Sequence, residues 1–159
     1  MTPQRQLIVN HNEAAGQYGD CFRACVASIL DVPISDVPHR YPDRSAWERY
    51  GQGEGGQLEW HEGDPIVDWL AQRGLRILMR RINGEWTLAE VLHEVAYYNP
   101  GVHWIIGGSS RSGHGHVCVA RDHEVVWDPH PSNDKHLTPS RMMECDHPYW
   151  FGYFIGALV

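Results

Sequence analysis

The apolar run Leu7-Ile8-Val9-Asn10 gives way to HNEAAGQYG, a polar stretch with two glycines that predicts a loop. From Asp20 the pattern changes. CFRACVASIL is apolar or small at nearly every position, which predicts a helix buried on most sides, with Asp20 as its N-cap and Cys21 in its first turn. Pro33 disfavours helical backbone at Val32 and cannot continue the hydrogen bonding, so the helix should stop near Asp31, and PISDVPH predicts one further short turn. From His39 to Gly63 no period holds, and GQGEGGQ at the centre predicts a mobile surface loop over residues 39–63.

Asp64-Pro65 then supplies an N-cap followed by proline at the first helical position, with Ile66, Val67, Trp69 and Leu70 apolar and Gly74 just past the end. That is a short helix. LRILMRRI alternates as a strand does, and Thr87 with Glu90 forms a capping box ahead of Leu88, Val91, Leu92 and Val95. Beyond Asn99-Pro100-Gly101 the pattern becomes a series of strands: VHWIIGG, GHVCVAR, HEVVW and YWFGYFIGAL. Helices first and a mostly antiparallel sheet afterwards is the α+β order, and without repeat or linker the chain reads as one domain over residues 1–159.

Composition narrows the function classes. Seven tryptophans, seven tyrosines and three phenylalanines among 42% hydrophobic residues supply a packed core and exclude wholesale disorder. A formal net charge of −7 repels phosphate backbones, so no nucleic acid is expected as partner. No run approaches the about 18 apolar residues of a membrane span, and no apolar segment follows a basic start as in a secretory signal. The expectation is a cytoplasmic protein with reduced cysteines and no membrane partner. The sequence says nothing of its oligomeric state.

Eleven histidines and four cysteines are many for 159 residues, and they are the side chains of thiol and metal chemistry. Cys21 stands out by placement, because a thiol in the first turn of a helix meets unpaired N–H groups and the positive end of the macrodipole, which favour the thiolate. Such a nucleophile needs a base. His116 opens the apolar strand HVCVA directly after the glycine-rich SGHG, and His114 two residues earlier is the alternative. Asp128 ends the strand EVVW ahead of Pro129, and a tight turn at Arg121-Asp122-His123 lets a hairpin bring it toward His116 as the orienting carboxylate. Gln17 and the backbone N–H of Cys21 are candidate oxyanion donors.

The segment from Gln17 to Ser28, QYGDCFRACVAS, together with His116-Val117-Cys118-Val119 and Val126-Trp127-Asp128-Pro129, resembles the Cys, His and Asp blocks of papain-like cysteine peptidases. The bacteriocin-leader-processing type is the most similar, and the same blocks resemble small bacterial and bacteriophage proteins. The resemblance implies a papain-like α+β domain in which an N-terminal helix carrying the nucleophilic cysteine packs on the sheet. It further implies a thiol-dependent hydrolase with Cys21 as nucleophile, His116 as base and acid, and Asp128 as orienting residue. The substrate would be a peptide or another amide, with no cofactor and no metal, and the setting would be the host cytoplasm for a phage-encoded protein. Two positions depart from the family pattern: Gln17 is closer to Cys21 than the oxyanion glutamine is to its cysteine, and Phe22 stands where the peptidases have glycine.

Other readings stay open. An amine in place of water would make the same site an acyl transferase of transglutaminase type. His114, His116 and Cys118, or Asp128 with His130, offer metal-ligand spacings. A binding module without turnover would use tryptophans 47, 60, 104, 127 and 150 as a groove lining. Under the hydrolase reading the remaining histidines and cysteines are dispensable for chemistry.

Overall fold

Helix α1 (Cys21–Ile29) is short and small-faced for a reason visible in its burial: Ala24, Cys25, Val26, Ala27 and Ser28 are all inaccessible to solvent. Ala24 and Ala27 let the helix lie close to the sheet, Cys25 Sγ donates to the Val117 carbonyl at 3.7 Å, and fully buried Val26 adds on the order of 2 kcal/mol. The helix ends two residues before Asp31, whose φ of 57° turns the chain, and a single 3-10 turn over Ile34–Asp36 follows. The computed structural model describes residues 1–9, 11–50, 63–140 and 147–157.

The other helices are α2 (Arg44–Tyr50), α3 (Pro65–Ala71) and α4 (Leu88–Tyr98), and the strands are β1 (Leu75–Asn83), β2 (His103–Ser109), β3 (Gly115–Arg121), β4 (Glu124–Trp127) and β5 (Tyr149–Ala157). Two of the three expected caps are present. Asp64 accepts from the Ile66 N–H with Pro65 at the first position of α3, and Thr87 and Glu90 bond reciprocally at the start of α4. The five strands form one antiparallel sheet in the order β1-β5-β2-β3-β4.

Both faces of this sheet are covered. Alternation along each strand sends Ile105, Val117, Val119, Phe151 and Tyr153 to one side, where α1 and α3 pack with Val26, Ile66 and Leu70. Trp104, Ile106, Cys118, Ala120 and Trp150 point to the other, where α4 supplies Val91, Leu92 and Val95. The architecture is α+β, with one refinement of the helix-then-sheet order: β1 precedes α4 in the chain, and α4 closes the second face as a third layer. Among the described residues no helix is long and apolar enough to cross a membrane.

The loop expected over residues 39–63 needs correction in its described part. Asp43 caps a helix that sequence reading missed: its side chain accepts from the Ala46 N–H at 2.9 Å, and Arg44 pairs with Glu48 one turn on. Trp47 stacks on Tyr18 and meets Tyr41 and His11 edge-on or tilted, which pins α2 to the body. Arg40 and Asp64 form a buried ion pair at the two ends of the segment. The glycine-rich centre, residues 51–62, lies outside the described residues, as does the tryptophan at position 60.

Candidate active site

Cys21 is the first residue of α1 and half-buried, whereas Cys25 and Cys118 are fully buried; all three are free thiols. The N-cap position works differently from the expectation. Asp20 makes no side-chain cap bond; its buried carboxylate instead accepts from the backbone N–H groups of Ile8 at 2.9 Å and Leu7 at 3.3 Å, with Arg23 at 3.7 Å. The N-terminal segment is thereby a strap. It continues from Asp20 to the far end of the site, where the Gln6 N–H donates to the Pro129 carbonyl and Trp127 Nε1 donates to the Gln4 carbonyl. Extended backbone with its donors aimed at one carboxylate ties the start of α1 to the end of β4.

His116 is the second residue of β3, paired with Gly108 of β2. A side chain at Gly108 would run into the Thr138 carbonyl, so the strand opposite the imidazole has to be bare there. His116 Nε2 lies 2.8 Å from Asp128 Oδ1, with the histidine side chain 10% exposed and the aspartate 1%. Asp128 also accepts from the His130 N–H at 2.8 Å and the Lys135 N–H at 3.1 Å, so both carboxylate oxygens are held. Burial would raise the Asp128 pKa, but the bonds from His116, His130 and Lys135 outweigh it and keep the carboxyl below its ordinary range.

The imidazole responds in the opposite sense. Burial disfavours its charged form, yet the Asp128 bond and the influence of the Cys118 and Cys21 thiols prevail, and the His116 pKa is raised well above the ordinary histidine value. Burial pushes the Cys118 thiol up to about 11 despite its bond to His116, and pushes Cys25 up as well. With Nε2 committed to Asp128, the ring's Nδ1 is the nitrogen left for a thiol partner.

A β-bulge makes this arrangement possible. At the turn Arg121 pairs with Glu124 and Ala120 with Val125, but Val119 pairs with Trp127, leaving Val126 as the extra residue. Continued by one step, the shifted register sets Asp128 opposite Cys118, on the side of β3 that carries His116. The unshifted register would have set it opposite Val117, on the α1 side.

Of the sequence-derived residues, the fold bonds His116 to Asp128 directly, and Cys21 at the start of α1 acts on the imidazole electrostatically. His114 is exposed in the turn before β3 and contacts Ser112 at 3.2 Å, so it is not the histidine beside the carboxylate. Gln17 is exposed, its backbone bridged to Asn12 and its amide making no hydrogen bond among the described residues. Cys118 was passed over as dispensable, although its spacing of two from His116 on a strand already put both on one face. The fourth cysteine, at position 145, lies outside the described residues. No protein-family model, no curated protein and no solved structure matches this chain.

Proposed function

We propose that the chain is a thiol-dependent hydrolase that cleaves a peptide or other amide bond through an acyl-enzyme, with Cys21, His116 and Asp128 as its triad. The observation that carries this reading is the 2.8 Å bond between His116 Nε2 and the buried Asp128 Oδ1, on a ring whose charged form the Cys21 thiol at the start of α1 also favours. An anchored imidazole with a raised pKa is the partner that a thiolate nucleophile needs, and it holds the proton that the leaving amine must receive.

Cys21 Sγ attacks the acyl carbon, forming a carbon–sulfur bond while the carbon–nitrogen bond breaks, and His116 delivers its proton to the departing nitrogen. Water then adds to the thioester as His116 takes a proton from it, releasing the carboxylic acid and restoring the Cys21 thiolate beside the charged imidazole. Asp128 keeps the ring oriented and balances its charge throughout. The unpaired N–H groups of the first turn of α1, that of Cys21 included, are the donors nearest in sequence to the developing oxyanion. The order Cys, His, Asp and a cysteine-bearing helix packed on an antiparallel sheet support a papain-like arrangement.

The test is to incubate the full chain with a mixed peptide library, quench in acid and locate any thioester by mass spectrometry. An acyl group on Cys21 in the wild type and none in His116→Gln is expected. A folded wild-type protein that neither cleaves any member nor carries an adduct overturns the proposal.

A further inference from the structure

The hydrolytic reading leaves one buried group without a task. Cys118 lies on the α4 face of β3, fully inaccessible, where valine or alanine would fill the layer as well as a thiol does. Its sulfur, a ring nitrogen of His116 and a carboxylate oxygen of Asp128 all lie within 4.8 Å of one another. We propose that His116, Cys118 and Asp128 form a site for one borderline-soft divalent cation of the zinc type, and that the bound ion blocks the thiol site. The second half of that statement rests on the hydrolase reading; the first does not.

The donor set argues for the ion class. Imidazole nitrogen, thiolate sulfur and carboxylate oxygen form the mixed N, S, O environment that zinc accepts, whereas magnesium and calcium take oxygen ligands. Zinc sits about 2.0–2.3 Å from such donors, so a tetrahedral site has ligand–ligand separations of about 3.3–3.8 Å. Reaching those separations takes donor shifts of up to about 1.5 Å within one β-hairpin, with the His116–Asp128 pair at 2.8 Å opening slightly. The carboxylate is already held in place by the His130 and Lys135 N–H groups, the outer support that orients a ligand.

Occupancy and catalysis exclude each other. An ion on His116 replaces the proton that the imidazole must exchange and takes the Asp128 oxygen that orients the ring. The bulge at Val126 therefore serves both arrangements, because it is what puts Asp128 on the side of β3 carrying His116 and Cys118.

Cobalt is the visible probe and zinc the competitor. Titrating the full chain with Co2+ under reducing conditions should give one ion per chain with a thiolate-to-cobalt charge-transfer band, displaced by one equivalent of Zn2+. Cys118→Ala should lose the band and weaken Zn2+ binding by about tenfold or more. Should that variant not fold, His116→Gln, altered at the half-buried end of the strand, should show the same loss of affinity. Absence of stoichiometric binding to the wild type overturns the site, and so does an unchanged cobalt spectrum in folded Cys118→Ala. The two proposals fail separately: binding without any acyl adduct leaves the metal site standing and sinks the hydrolase, and adduct formation without binding does the reverse.

Discussion

His116 Nε2 and Asp128 Oδ1 lie 2.8 Å apart although twelve residues separate them, because one residue too many in β4 turns the aspartate to the histidine's side of the hairpin. A pleat has a period of two, so a single extra residue exchanges the faces of everything beyond it. The buried carboxylate, with both oxygens bonded, then orients the ring and favours its charged form.

The ring should govern the reactivity of Cys21. Exposure alone makes Cys21 alkylate faster than buried Cys25 and Cys118, so the informative comparison is between variants. His116→Gln should slow iodoacetamide modification of Cys21 at neutral pH by about tenfold or more and amide turnover by about a hundredfold or more. An unchanged alkylation rate in the folded variant would show that the thiol does not use the imidazole.

The pH behaviour follows from the two shifts. The Asp128 carboxyl is lowered, so its contribution to stability is present above about pH 3.9 and disappears as acid titrates the folded carboxyl below that. His116 is raised, so its contribution is complete below about pH 6.5 and is lost only as pH climbs through the folded value. The full stability contribution of the pair therefore falls between about pH 4 and 6.5, while both groups stay charged until pH reaches the raised His116 value. In an NMR titration the His116 ring should stay protonated well past the ordinary histidine range, and in Asp128→Asn it should titrate at lower pH than in the wild type. A wild-type ring titrating at the ordinary histidine value contradicts the ion pair.

Deleting Val126 tests the bulge itself. The shortened β4 should pair regularly, with Trp127 still opposite Val119 and Asp128 still opposite Cys118, because the residue removed is the unpaired one. The chain should fold, since β4 is an edge strand, and both the raised His116 pKa and cobalt binding should survive. A deletion variant whose His116 titrates at the ordinary histidine value would mean that Val126 is not the extra residue.

Asp64 has two duties, and its loss should cost accordingly. It caps α3 through the Ile66 N–H and neutralises Arg40, which is 5% exposed and would be left charged in the interior. Asp64→Ala should destabilise the fold by about 3–5 kcal/mol, read from urea unfolding, and more than Arg44→Ala at the exposed pair with Glu48, which should cost less than about 1 kcal/mol. Similar losses for the two would refute the buried ion pair as a structural tie.

Much of the fold was legible locally. Asp64-Pro65, the Thr87–Glu90 box and the alternation in GHVCVAR mark elements by chemistry that acts over three or four residues, and all three are present as expected. Helix α2 was hidden because its stabilising partners, Tyr18 and His11 against Trp47, lie far away in the chain, while the neighbouring glycines dominated the local pattern. Asp20 was legible as a helix start and misread as its cap, since the strap that takes up its carboxylate comes from residues 7 and 8.

By itself the sequence determined the residue types and their rigid mounts: a cysteine at a helix start, a histidine at a strand start, an aspartate ahead of a proline. Tertiary structure alone decided that these meet, and that Cys118 joins them. Hydrogen bonding within a hairpin is nearly indifferent to a shift of one residue, and only the burial of Val125 on one face, with Val126 and Trp127 packed against the other, selects the bulged register. That choice sums contacts with both helix layers, which no window of sequence contains.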